Sequence, residues 1–190
     1  MTSPEQHPAL VELQLRPEDL TLQRAARLLL LLEVAASLNL KKPLDIERLS
    51  YYDFFAANPF ALFAPDEEGA KAILLAGFSS NDLSYQSSGH RFVTRRGRLQ
   101  ADLAFLVVRA LVSTSVGERR VAYGLTDRGS EVAGQFVSLY SHSYRASARH
   151  VLRYMDRLSD AALVKEARTR LEATAQLIDL YGVEPGEPLA

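Results

Sequence analysis

Residues 95–136 limit what this chain can fold into more than any other stretch, because they read as a helix, a tight β-hairpin and a sharply started second helix. Leu99, Leu103, Leu106, Val107 and Ala110 recur at helical spacing and lay one apolar stripe along residues 98–111. Two β-rich runs follow, 112–116 and 119–125, joined by Gly117 and Glu118. Glycine at the first position of a two-residue loop suits a type II′ turn. Val121, Tyr123 and Leu125 alternate with Arg120, Ala122 and Gly124, which gives the ribbon one apolar face. Thr126 is placed to cap a helix opened by Asp127, whose carboxylate suits the positive end of the helix dipole. Helix, β-wing and capped helix in this order predict a winged helix-turn-helix, a fold that binds nucleic acid or another protein and rarely does chemistry.

The rest of the chain extends that unit. Residues 22–38 read as a helix that is apolar nearly all round, which predicts burial on more than one side. Pro43 breaks the chain, and Asp45 can start a second helix that reaches about residue 57 before Asn58-Pro59 ends it. Residues 59–94, rich in Gly, Ser, Pro and Asp with one helix-like fragment at 69–76, read as an insertion after the second helix. Beyond the wing, one long helix is expected over 127–158 and a shorter one over 161–180, together a C-terminal helical hairpin. Val137, Tyr144, Val151 and Leu158 fall seven apart, with Ala148 and Met155 between them, so a seam should run lengthwise against the last helix or against a partner's coiled coil. The predicted fold class is thus mainly α. It comprises a loose segment 1–21, a winged-helix domain 22–126 with an insertion at 59–94, a helical hairpin 127–181 and a tail 182–190.

Composition narrows the functional classes. The 190 residues contain no cysteine, which excludes a disulfide framework and any thiolate metal site. With no signal peptide visible, the expected compartment is the cytoplasm. Leu28 to Leu32 form an apolar run bracketed by Arg24, Arg27 and Glu33, far short of the roughly 20 residues that span hydrocarbon. No membrane partner is expected. The net charge of -1 is unevenly spread: residues 1–90 carry 7 Lys/Arg against 12 Asp/Glu, residues 91–126 carry 7 against 2, and residues 127–190 carry 8 against 9. Basic charge gathers on the predicted winged helix.

A search for chemistry returns little. His142 and His150 lie eight apart on one predicted helix and about 80° out of line, which does not make a two-His metal face. Neither a phosphate-binding G-x-x-x-x-G-K-[S/T] loop nor a G-x-G-x-x-G turn is present. Asp66-Glu67-Glu68 reads as a solvated acidic loop, and the Ser87 to His90 stretch lacks any group arrangement that would activate a serine. No catalytic, cofactor or metal residue is expected, and no enzyme.

Two basic features remain. Arg95, Arg96 and Arg98 at the start of the third helix, with Arg119 and Arg120 at the base of the wing, would touch phosphates in a DNA-binding winged helix. The expected outer face of that helix, however, carries Ala101, Asp102, Phe105, Val108 and Arg109. Phe105 and Val108 cannot read a groove, and a helix apolar on both sides is better explained by protein on both. The second feature is Arg145, Arg149, Arg153 and Arg157, four apart, a ridge roughly 18 Å long for nucleic acid or an acidic partner, or else a solvated face paired with the following helix.

Residues 24–33 (RAARLLLLLE), 44–54 (LDIERLSYYDF), 84–111 (SYQSSGHRFVTRRGRLQADLAFLVVRAL) and 123–129 (YGLTDRG) resemble, in this order, the middle-component subunits of bacterial ABC-three-component systems, which overlap with Lamassu-type anti-phage systems. The resemblance implies a non-enzymatic adaptor between an SMC-like ATPase subunit and an effector subunit, in a complex that can meet non-specific double-stranded DNA. A stand-alone winged-helix transcription regulator using Arg95, Arg96 and Arg98 on DNA is the alternative.

Overall fold

A computed structural model describes residues 20–64, 67–78, 88–117 and 120–180. Within them the chain is mainly helical, in the order α1 (Thr21–Leu38), α2 (Ile46–Ala57), a 3-10 turn (Pro59–Ala61), α3 (Glu68–Leu75), α4 (Ser88–Val108), β1 (Val112–Val116), β2 (Val121–Leu125), α5 (Asp127–Gly134), α6 (Leu139–Met155) and α7 (Asp160–Leu180). The expected segments 1–19 and 182–190 lie outside the described residues, as do Glu118 and Arg119 of the hairpin loop and Ser87.

Helix α1 runs through the middle, with α2, α4, α5, α6 and β2 packed around it. That arrangement explains a helix apolar on every side: all five leucines from Leu28 to Leu32 are buried. Each contributes roughly 1.5–3 kcal/mol by leaving water. Asn39, in the left-handed conformation at φ 48°, turns the chain out of α1. Asp45 then caps α2 by accepting from the Arg48 N–H at 2.8 Å. Between the two helices, the Tyr123 N–H donates to the Leu44 carbonyl at 3.0 Å, and Asp45 forms an antiparallel bridge with Ala122. The connection therefore serves as a short third edge on the β-ribbon.

The hairpin pairs Val112 with Leu125, Thr114 with Tyr123 and Val116 with Val121. The Gly117 N–H donates to the Arg120 carbonyl at 2.9 Å, so the pairing reaches Gly117, and the rest of the expected Gly117-Glu118 turn lies outside the described residues. The observed register sets valine and leucine partners opposite one another on one face, where cross-strand pairs add stability. Thr126 caps α5 as expected, accepting from the Gly129 N–H at 2.9 Å. A Cβ at Gly129 would stand 2.0 Å from the Leu111 carbonyl oxygen, so this glycine permits the close approach of α5 to the start of the ribbon.

Two expectations are corrected. Helix α4 begins at Ser88, within the expected insertion, because its first turns are held by long-range contacts that periodicity does not reveal. The Phe92 ring stacks on Tyr51 at 5.2 Å and meets Phe54 edge-on at 5.4 Å. Second, the long helix over 127–158 is broken between Gly134 and Leu139. Ser138 restarts it as an N-cap, and Arg145 folds back to donate to the Ala133 and Phe136 carbonyls at 2.7 and 2.8 Å. In the C-terminal part, α6 lies against α1 and α2 and α7 against α4, while Tyr154 of α6 donates to Glu166 of α7 at 2.9 Å. Tyr144, Ala148, Val151 and Met155 of the seam are fully buried in that packing, while Val137 is exposed in the break. The start of α7 is fixed through Arg48, which donates to Asp160 at 2.7 Å and to the Leu158 carbonyl at 2.9 Å.

Candidate interaction surfaces

The arginines at the start of α4 form a ladder along α2. Arg91 donates to Asn58, Arg95 makes a two-pronged pair with Asp53, with Nη2 to Oδ1 at 2.7 Å, and Arg96 reaches Glu47 at 2.7 Å. As α4 climbs from Arg91 to Arg96, α2 descends from Asn58 to Glu47, so the two helices are antiparallel and charge-matched. The Arg95 and Asp53 side chains are only 11% and 6% exposed. Burial pushes the Asp53 carboxyl up, and Arg95, with Arg27 and the Tyr144 hydroxyl beside it, overcomes that and holds it below the ordinary carboxylate range. The Tyr144 hydroxyl is pushed well up, first by burial and then by the Asp53 charge. Arg98 is half-buried and has a partner of its own. Arg119 lies outside the described residues, and Arg120 reaches down from the ribbon to Asp45 at 2.6 Å and Asp160 at 3.0 Å.

The outward side of α4 differs from expectation at one position. Asp102 is buried, with both its oxygens bonded to Arg24 at 2.7 and 2.9 Å, so it offers no repulsion to a ligand on the outer face. Val108 is 83% exposed. Phe105 is half-buried, with the Arg109 guanidinium 3.5 Å above its ring. The outer end of α4 is thus an apolar and cation-capped surface.

The second arginine row divides in two. Arg145 is drawn inward by Glu33, at 2.7 Å, and by the carbonyls that it binds in the α5–α6 break. Arg149, Arg153 and Arg157 are exposed. Lys41 and Lys42 join them, because the Asp156 carboxylate accepts from both of their backbone N–H groups, at 3.0 and 3.2 Å, and so pins the α1–α2 turn to the end of α6. A cleft of about 450 Å³ there is lined by Lys41, Arg153 and Arg157 among others. Among the described residues no group of three or more His, Asp and Glu is placed to hold a metal ion, and no helix is long and apolar enough to cross a membrane.

The sequence model of the ABC-three component (ABC-3C) system Middle Component 2 family matches residues 20–176. The chain belongs to that family. No curated protein and no solved structure matches it. Membership of a middle-component family makes the chain one part of a multi-component system, with partner subunits.

In this middle component the sequence reading missed four cations. Lys41 and Lys42 were legible as a basic pair before Pro43, but only the Asp156 contacts bring them to the arginines of α6. Arg24 and Arg27 interrupt the apolar pattern of α1, a signal that a buried helix carries charge for a purpose beyond packing. Arg24 pairs with Asp102, whereas the Nε of Arg27 is buried without a hydrogen-bond partner among the described residues.

Proposed function

We propose that this chain is a non-enzymatic accessory subunit that bridges an SMC-like ATPase and an effector in anti-phage or anti-plasmid defence, with α1, α2, α4 and the β-ribbon acting as a winged-helix unit turned to protein binding. The single observation that carries this reading, beside the family, is the use of the α4 arginines: Arg95 and Arg96 are bound to acids of α2, while Val108 is exposed and the Arg109 guanidinium lies over the half-buried Phe105. A helix built to track phosphates would present its cations outward and its apolar side inward. The bridge between Asp45 and β2, which adds a strand edge from the α1–α2 connection to the hairpin after α4, supports the winged-helix assignment.

Within such a complex, Arg149, Arg153 and Arg157 together with Lys41 and Lys42 supply a basic surface for non-specific contact with the DNA backbone. Co-expression of the chain with the genes encoded beside it tests the proposal. A complex that survives size-exclusion chromatography at physiological salt is the expected result. Elution of the chain alone, with a shift of its own promoter fragment at moderate salt, would overturn it in favour of a stand-alone regulator.

A further inference from the structure

Arg27 is 7% exposed, and its Nε has no hydrogen-bond partner among the described residues. It belongs to a buried ionic group in which Arg95 and Arg27 act on one carboxylate, Asp53, so that among the described residues one positive charge is left without a counter-ion. The neighbouring charges cancel within their own pairs, Arg24 with Asp102 and Arg145 with Glu33. Desolvating an unpaired guanidinium costs several kcal/mol, so a fold that retains one there pays for something the isolated chain does not show.

Arg27 lines a cavity of about 270 Å³ between α1 and the N-terminus of α6. Gln23, Ser138 and Tyr140 bring polar groups to its wall, and Leu30 and Phe136 bring apolar ones. Ser138 is also the N-cap of α6, so the positive end of a 17-residue helix adds to the field inside the cavity. Both features favour an anion. The surroundings select which kind: Tyr140 of the lining is more than half exposed, as are Leu22, Val137 and Leu139, each next in sequence to a lining residue. Exposed apolar side chains in the segments that hold a buried charge suit a protein interface anchor, whereas a phosphate backbone needs cations at the surface.

We propose that this cavity receives an aspartate or glutamate side chain of a partner subunit, held in an apolar segment, which completes the ion pair that Arg27 lacks. The inference rests on the accessory-subunit reading above.

The test uses the full chain reconstituted with the other components of its system. Arg27→Met should leave the isolated chain at least as heat-stable as wild type, since a costly charge is removed, yet weaken assembly roughly 30-fold or more. Leu139→Asp, a change at an exposed position between the lining residues Ser138 and Tyr140, keeps the test independent of any folding defect and should also weaken assembly. A photoreactive benzoylphenylalanine at position 139 should cross-link to one partner peptide that contains an acidic residue. Wild-type assembly by Arg27→Met and Leu139→Asp, or a cross-link confined to this chain, overturns the proposal while leaving the accessory role intact. Stabilisation of wild type but not Arg27→Met by millimolar acetate or inorganic phosphate, with assembly of the variant unchanged, overturns it in favour of a small-anion site. Failure of the wild-type chain to assemble at all overturns both readings together.

Discussion

Replacing Asp53 by alanine removes the carboxylate that holds α4 on α2, and the structure sets the size of the loss. Both of its oxygens are in use: Oδ1 accepts from Arg95 Nη2 at 2.7 Å and from the Tyr144 hydroxyl at 3.4 Å, and Oδ2 accepts from Arg95 Nε. Because the two side chains are 6% and 11% exposed, water cannot take over these bonds without opening the interface. Asp53→Ala leaves the Arg95 guanidinium and the Tyr144 hydroxyl unpaired, with Arg27 adding like charge beside them. Breaking a buried pair in this way costs about 3–5 kcal/mol, which corresponds to roughly 6–20 °C in Tm for a domain of this size. Urea and thermal unfolding of Asp53→Ala, Arg95→Met and the double variant measure it. The double variant should be more stable than the sum of the single losses implies, because no orphaned cation remains at position 95. A loss below about 1 kcal/mol for Asp53→Ala, or strict additivity, would refute the claim that this pair clamps the two helices.

Other perturbations follow from the same geometry. The folded-state pKa values of Asp53, Asp160 and Glu166 are lowered, chiefly by Arg95 against the cost of burial, by Arg48 and by Arg170 respectively. Their contribution is therefore present above the unfolded carboxylate range near pH 4 and is lost as pH falls through the lower folded values, so urea midpoints should hold from about pH 7 to 5 and drop below about pH 4. Asp53→Asn should flatten that acid limb. Gly129→Ala drives a Cβ into the Leu111 carbonyl and should cost about 3 kcal/mol, read by thermal unfolding, at the upper end of overpacking. Reversing Arg149, Arg153 and Arg157 to Glu should change the stability of the chain by less than about 1 kcal/mol, since all three are exposed. In the assembled complex the same change should lower DNA affinity steeply and flatten its salt dependence; unchanged affinity would make this row a solvated face.

The parts of the fold that were legible in the sequence are those fixed by near neighbours. The apolar periodicity of α1 and α2, the Asp45 and Thr126 caps and the alternation of Val121, Tyr123 and Leu125 are all short-range signals, and each produced its element. What was not legible depends on distant partners. The first turns of α4 carry Gly89, Thr94 and Gly97 and little apolar pattern, and they are helical because Arg91 and Arg95 meet Asn58 and Asp53 on α2. The break before α6 comes in a stretch that reads as continuous helix until Arg145 is seen to bind the carbonyls on its far side. A seven-residue seam says that a helix packs lengthwise without saying on what, and here the neighbours are α1 and α2. For the interaction surfaces, composition located the basic stretch but not its direction. Arg91, Arg95 and Arg96 of α4 turn toward the polar groups of α2 and its C-cap, and the exposed basic cleft is assembled from a turn and a helix more than a hundred residues apart.

Hydrogen–deuterium exchange on the chain alone and in complex with the other components of its system tests the central claim most directly, because it reports which surfaces a partner covers. The account predicts slower exchange on assembly at residues 22–30 and 136–141 around Arg27, and at residues 101–109 on the outer end of α4. Unchanged exchange at both places in a complex that contains the chain would contradict it.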